Sequence, residues 1–431
     1  MTRTAGGRVA HSIRLARTAS YLPLLAAALG VMMARLLAAA KFLDVGEFAR
    51  YSAALLVSGS FCMLGCLGLQ TMLQRDMPVL FFQRRSRRAM MLLAQAGMVA
   101  VACAATGAGL AAALPSGAAV SALDRATILI GIVHGLSQQI FVLVTVESRS
   151  RGLTMLFSGQ YLARSVAVFA GGSTAMVVTG SGSTGAATEA TATLLVSAVV
   201  LAGSLQRAST NLVASVGLGA RRFGAIRWRA ASALLAVMTA TWLVQNADRW
   251  MAERNLDVAG FASYAFASNA ILVASAAQMM MNAALFPKLA RTYAASGTGT
   301  AFRSAAMLSA ALVAAGLVAA PVAWACWDIA VSRWYPQYAA SVTIAPLLIA
   351  VGVLRVSDYW SSFLLIVGAE TRLLRATVAA ALGASVAWWF LRGPAAAASV
   401  ASVGWLALGL AGATYLAGMM TAWKESRRCQ A

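Results

Sequence analysis

The sequence predicts an all-α integral membrane protein: twelve transmembrane helices in two parallel-repeat lobes of six. Three observations predict it. Hydrophobic residues make up 60% of the 431-residue chain and charged residues only 11%, whereas a soluble domain carries about 25% charged residues. Such a chain cannot cover its surface in water. Its Ala, Leu and Val fall in long unbroken runs, not in the alternation a membrane barrel requires. Second, Leu43-Asp44-Val45-Gly46-Glu47-Phe48-Ala49-Arg50-Tyr51 recurs as Leu256-Asp257-Val258-Ala259-Gly260-Phe261-Ala262-Ser263-Tyr264, six of nine positions identical at an offset of 213 residues. That offset is almost half the chain. Third, the basic residues are segregated to alternate loops.

A crossing takes ~20 apolar residues, and twelve runs are long enough. Ala19–Ala40 follows a basic tail and stops at Lys41. Phe48–Leu73 stops before the loop holding Arg75, Arg84, Arg85, Arg87 and Arg88, and Ala89–Leu114 follows that loop. Ala126–Val146 ends ahead of Arg149 and Arg151, Leu153–Val178 comes after them, and Ala190–Leu205 stops before Arg207. In the second half, Ala230–Met251 follows Arg229, and Ala259–Phe286 ends before Lys288 and Arg291. Ser304–Trp327 follows Arg303, and Ala339–Val367 precedes Arg372 and Arg375. Ala376–Leu391 and Ala395–Ala422 complete the set, the last ending at Lys424, Arg427 and Arg428. The lobes are expected over residues 1–215 and 216–431. The repeat offset equals six runs, an even number of crossings. Both copies therefore lie on one side, with the pseudo-axis along the membrane normal.

The net charge of +21 invites a nucleic-acid reading, but its placement argues for topology. Twenty-four of the 34 basic residues fall in the tails and even-numbered loops, and seven in the odd-numbered loops. Positive residues stay cytoplasmic, so both termini are expected inside. The five cysteines lie in or beside apolar runs, so no disulfide framework is expected. Cys62 and Cys66 share a helix face, but without a histidine they make no metal site. The basic start, apolar run and Ala38-Ala39-Ala40 mimic a signal peptide. The matching helix in the second half argues against cleavage.

The remaining residues carry a resemblance. Arg35-Leu36-Leu37, Phe42-Leu43, Glu47-Phe48 and Tyr51 resemble the first hairpin of the polysaccharide flippases. These belong to the multidrug/oligosaccharidyl-lipid/polysaccharide (MOP) exporter superfamily. Asn246-Ala247-Asp248-Arg249, Tyr264 and Leu285-Phe286-Pro287-Lys288-Leu289-Ala290-Arg291 are similar to that family's seventh and eighth helices. Tyr335-Pro336-Gln337-Tyr338 and Gly368-Ala369-Glu370-Thr371-Arg372 fit its later loops. The resemblance implies the cargo: a polyprenyl-pyrophosphate-linked oligosaccharide, turned from the inner to the outer leaflet of the bacterial inner membrane. The product would be O-antigen, capsule or exopolysaccharide. Alternating access of the two lobes about a central cavity is implied with it. Partners are then the cargo, membrane lipid and other polysaccharide-assembly proteins; no cofactor, metal or nucleic acid is expected.

Charges within spans are the sharpest pointers to a site, because each costs a few kcal/mol at mid-membrane. Arg35, Arg164 and Arg355 lie away from the loops. Guanidinium forks match phosphate oxygens, so a cationic cavity for the pyrophosphate would use these three. Arg35 is near Lys41 and could instead snorkel to the interface. Arg164 is too deep in its run for that. Arg355 and Asp358 are one turn apart and could pair with each other. Asp248 beside Arg249 reads as an interface pair near a helix end. Asn269, Gln278, Asn282 and Asp358 could line a polar path, with interhelical glue as the competing reading. His134, Gln138 and Gln139 read the same way.

A membrane glycan ligase or polymerase would need catalytic acids or bases on sizeable loops. The chain has 13 acids and 2 histidines, short outer loops, and no DxD-like pair or HExxH, so no enzyme is expected. A drug/cation antiporter of the same superfamily would want a buried carboxylate in the first helix, where Arg35 stands. A lipid II flippase is disfavoured by twelve runs where the resemblance would require fourteen.

Overall fold

The computed structural model of the chain describes residues 21–113, 122–392 and 399–428, and every regular element among them is helical. In order, these are α1 (Leu22–Phe42), α2 (Val45–Leu64), α3 (Leu69–Phe82), α4 (Ser86–Ala112), α5 (Arg125–Ser150), α6 (Thr154–Thr179), α7 (Gly182–Arg207), α8 (Leu212–Arg221) and α9 (Trp228–Asn255). Then come α10 (Val258–Ala267), α11 (Asn269–Trp334), α12 (Ala340–Val356), α13 (Trp360–Ile366), α14 (Glu370–Arg392) and α15 (Val400–Arg428). Contacts group them into two units whose main boundary, Met238/Thr239, falls inside α9.

Among the described residues ten helices are long and apolar enough to span a bilayer, or eleven when α2 and α3 count as one bent span. The remaining run, expected over Ala259–Phe286, is divided between α10 and the start of α11 at Ser268. Neither piece passes as a span alone. Gly297, at φ +78°, breaks α11 where the eighth run gives way to the ninth.

Two boundaries correct the sequence reading. The second run is not one straight helix. Its two halves bend by 50° across Gly65–Gly68, where Leu67 (φ 48°) and Gly68 (φ 81°) occupy the left-handed region. A Cβ on Gly68 would overlap the carbonyl oxygen of Ala231 in α9. Gly68→Ala would combine left-handed strain with steric overlap, so it is expected to lower stability by about 2 kcal/mol or more. A thermal unfolding comparison in detergent checks this, and an unchanged midpoint contradicts it. The second correction is at the sixth run. α7 begins at Gly182, where the Ser181 hydroxyl caps it by accepting from the Thr184 amide. The Gly-Ser-Thr-rich start is too polar for a hydropathy window, yet it contains no helix breaker once capped. Glu189 is thereby carried inside an apolar helix long enough to span.

The repeat has a local cause. Asp44 Oδ1 accepts from the Glu47 amide at 2.8 Å, and Asp257 Oδ1 from the Gly260 amide at 3.0 Å, so each copy begins with the same helix cap. Phe48 and Phe261, Ala49 and Ala262, and Tyr51 and Tyr264 are all buried. Four helix pairings repeat as well. In the first unit α2 packs on α5, α4 on α5, α5 on α7 and α6 on α7. In the second, α10 packs on α12, α11 on α12, α12 on α15 and α14 on α15.

Lipid is as apolar as leucine, so close packing at small residues, rather than exclusion from water, draws such helices together. Gly131 and Gly135, one turn apart on α5, face α2. A Cβ at Gly131 would stand 2.7 Å from Val57 Cβ, and one at Gly135 2.8 Å from the Ser58 carbonyl oxygen. Larger residues there would push α2 and α5 apart.

The element order carries the topology to a test. Ser181 caps the start of α7, and Ala295 lies two residues before the Gly297 break. Reporter fusions are expected to read outside after Ser181 and inside after Ala295. The opposite result at either site would overturn the twelve-span orientation.

Candidate functional site

The first unit holds a buried polar cluster contributed by five helices. Glu189 of α7 is fully buried, and Gly172 of α6 makes room for it. A Cβ on Gly172 would stand 2.6 Å from Glu189 Cγ. Three side chains meet the carboxylate. Arg35 Nη1 of α1 donates to Oε2 at 3.1 Å, and the Tyr51 hydroxyl of α2 donates to Oε1 at 2.8 Å. His134 Nε2 of α5 lies 3.3 Å from Oε2. On the other edge of that imidazole, Nδ1 is 2.7 Å from the Ser58 hydroxyl of α2. The close α2–α5 approach at Gly135 brings these two within reach.

Arg35 is therefore a buried partner in an ion pair, not a snorkelling side chain. Its positive charge is balanced locally by Glu189. Arg164 of α6 is different. It is 6% exposed, and its Nη2 donates to Gln138 Oε1 of α5. Its guanidinium carbon stands 4.9 Å from the centroid of the Phe141 ring, a cation–π arrangement. Among the described residues it forms no ion pair, and its Nε has no hydrogen-bond partner. Arg35 and Glu189 both act on it electrostatically. The cluster thus carries one guanidinium more than its carboxylates neutralise.

A second buried carboxylate ties the arginine-rich helix ends together. Glu147 of α5 lies 2.6 Å from Arg151 Nε and 2.7 Å from Arg207 Nη2 of α7, and accepts from the Ser204 hydroxyl at 3.2 Å. Nearby, Gln139 Nε2 donates to Gln70 Oε1 at 2.7 Å. These contacts join α5 to α7 and to α3, a structural task.

In the second unit, Asp248 of α9 is buried and accepts from the Tyr264 hydroxyl at 2.6 Å. This corrects the interface pairing with Arg249, whose Nη2 instead donates to the Ser268 carbonyl at 3.4 Å. Asp248 stands at the repeat position of Arg35, and Tyr264 at that of Tyr51. Each unit so buries a tyrosine hydroxyl on a carboxylate, supplied by α7 in the first and by α9 in the second. The Asp248 carboxylate forms no ion pair among the described residues, and its Oδ1 has no hydrogen-bond partner. Tyr264→Phe is accordingly expected to cost about 1–3 kcal/mol, more than Tyr51→Phe, because Glu189 keeps Arg35. Melting midpoints of the two variants in detergent decide the order; a larger loss for Tyr51→Phe would contradict it.

The other residues singled out from sequence are in the second unit. Arg355 and Asp358 do not form an ion pair among the described residues. Arg355 Nη2 donates to the Gln245 carbonyl at 2.9 Å. Asp358 accepts from the Ser361 hydroxyl at 2.7 Å and its amide at 3.3 Å. Asn269 is buried, with no partner for its Nδ2, and Gln278 is half-buried. The side chain of Asn282 lies outside the described residues. The structure therefore brings Arg35 and Arg164 into one cluster of the first unit, whereas Arg355, Asp358, Asn269 and Gln278 lie in the second with no side-chain hydrogen bond or ion pair joining them among the described residues.

Sequence reasoning missed Glu189 and the role of Tyr51. Two signals were available. Ser181 and Thr184 form a cap spacing that starts the helix early, and the tyrosine is one of the six positions kept in the repeat.

No protein-family model matches the chain, and no curated protein does. Solved structures do match over nearly its whole length. An inward-facing multidrug resistance MATE family transporter of the MOP superfamily aligns with TM-score 0.62 at 12% identity, covering 94% of this chain and 99% of that one. The lipid II flippase MurJ in an inward closed conformation aligns with TM-score 0.58 at 9% identity, covering 94% and 87%. A Vibrio cholerae MATE transporter gives TM-score 0.55 at 16% identity, covering 95% and 97%. At such identities the likeness is one of fold: this chain is a multi-pass membrane protein with the fold of MOP-superfamily transporters.

Proposed function

We propose that the protein flips a polyprenyl-pyrophosphate-linked oligosaccharide from the inner to the outer leaflet of the bacterial inner membrane, by alternating access, for surface polysaccharide assembly. Arg164 carries the reading. A buried guanidinium with no carboxylate to neutralise it is costly, and an anionic group on the cargo offsets that cost. Its planar fork suits phosphate oxygens, and its seat between Gln138 and the Phe141 ring holds the fork in place. Arg35, Arg355 and the polar groups Asn269, Gln278, Asn282 and Asp358 remain candidates for further cargo contacts. Of these, Arg35 is already engaged by Glu189. No chemistry on the cargo is required, in keeping with a non-enzyme.

A drug/cation antiporter is the second reading, and the buried Glu189 is what favours it. A cation arriving there would have to displace Arg35 at 3.1 Å, and Tyr51 already donates to the other carboxylate oxygen. An anion meeting Arg164 displaces no counter-charge. A lipid II flippase shares the anion chemistry and differs in the sugar.

Deleting the gene in a strain without a paralogue distinguishes these readings. Surface glycan is expected to disappear while drug susceptibility and cell-wall synthesis stay unchanged. Normal glycan with raised drug sensitivity would establish the antiporter, and arrested wall synthesis the lipid II reading.

A further inference from the structure

Away from the Arg164 cluster, the arginine-rich end of the first unit contains a cleft of about 390 Å³. That lies within the range of small-ligand sites, roughly 300–1,000 Å³. The end of α3, the start of α4 and the connector residues 222–227 enclose it. Its rim carries Arg85, Arg88, Arg222 and Arg227, opposed by one acid, Asp76. Asp76 is already engaged by Arg75 at 2.8 Å and by Arg227. Among the described residues Arg85, Arg88 and Arg222 form no ion pair, so three arginines line one opening without a paired counter-charge. The floor is apolar, with Met72, Met91 and Ile226 buried beneath the rim.

The connector is held in place. Gln95 Nε2 of α4 donates to the carbonyls of Gly219 at 3.2 Å and Arg222 at 2.8 Å. Ile226 shares a packed core with Leu69, Met77 and Met90. The cleft is thus a built feature of the first unit. Its chemistry, a cationic rim over an apolar base, complements an anionic lipid headgroup with the start of its chains. Exposed Val79 and Phe82 on α3 continue the apolar surface beside it. Basic pockets at helix ends on the positive side of a membrane are where acidic lipids are held.

We propose that this cleft binds the phosphate headgroup of an anionic phospholipid and so fastens the connector to α3 and α4. Free phosphate has the same oxygens but makes no use of the apolar floor. The test is native mass spectrometry of the detergent-purified full chain, offered equal phosphatidylglycerol and phosphatidylethanolamine. The wild type is expected to retain phosphatidylglycerol preferentially. Arg88→Gln/Arg222→Gln is expected to retain about tenfold less, the equivalent of one charge-assisted hydrogen bond lost. Arg84→Gln/Arg87→Gln removes equal charge from neighbouring positions outside the cleft and is expected to leave retention unchanged. Millimolar inorganic phosphate is expected not to displace the lipid. Gel filtration confirms that all three proteins are monodisperse. Equal retention of the two lipids by the wild type, equal loss in both double variants, no loss in Arg88→Gln/Arg222→Gln, or displacement by phosphate would each overturn the proposal.

Discussion

Arg164→Ala is expected to abolish surface glycan export while the protein remains inserted at normal abundance. The argument rests on charge balance. Arg35 is paired directly with Glu189, whereas among the described residues Arg164 forms no ion pair and directly meets an amide and an aromatic ring. Losing a charge-assisted contact to phosphate costs about 1.5–3 kcal/mol, roughly a ten- to hundredfold loss of affinity. Arg164→Lys keeps the charge and loses the fork, so partial export is expected. Arg87→Ala, exposed at the start of α4 among many basic neighbours, should change little. The same balance predicts stability in the opposite sense. Removing an uncompensated buried charge relieves its desolvation cost, so Arg164→Met, which also fills most of the volume, should melt no lower than wild type. Loss of export with unimpaired melting separates a cargo role from a folding role. Full export by Arg164→Ala at normal abundance would leave Arg164 as a packing residue.

Glu189→Gln is expected to have the largest effect on stability, about 3–5 kcal/mol, because it strands the buried Arg35 guanidinium beside a neutral partner. The amide is nearly the same shape, so packing loss does not account for such a change. Arg35→Met should cost less, since Tyr51 and His134 still meet the carboxylate at 2.8 and 3.3 Å. Arg35→Met/Glu189→Gln should recover part of the loss, and the shortfall from additivity measures the pair. Thermal unfolding followed through labelling of the buried Cys66 thiol reads all three. A Glu189→Gln protein as stable as wild type would show that the ion pair contributes nothing.

Much of the architecture was legible in the chain. Burial of an apolar helix in lipid depends on a local sum over ~20 residues, so each span leaves its mark in its own stretch of sequence. The repeat was equally local, since Asp44 and Asp257 cap their own helices and Phe48, Ala49 and Tyr51 lie on one helix face, as do their copies. Errors arose where a local sum misleads. Gly182–Glu189 is polar on average yet helical, and Gly65–Gly68 sits within an apolar run yet bends because α9 packs against it.

The site was half legible. Arg164 stood out by the cost of its charge, which is a property of one residue and its depth. The partners did not stand out. Arg35 and Glu189 are 154 positions apart, and Tyr51 and Glu189 are 138 apart. Which acid meets which arginine depends on which helices are neighbours. Side-chain-free positions such as Gly131, Gly135 and Gly172 settle that by letting backbones approach. Composition, spans, repeat and charge asymmetry were thus determined by the sequence itself, because water-to-lipid transfer is additive along the chain. Only the tertiary structure decided that, among the described residues, Arg35 is paired with a carboxylate and Arg164 is not, because pairing energy depends on distances between helices that no single segment encodes.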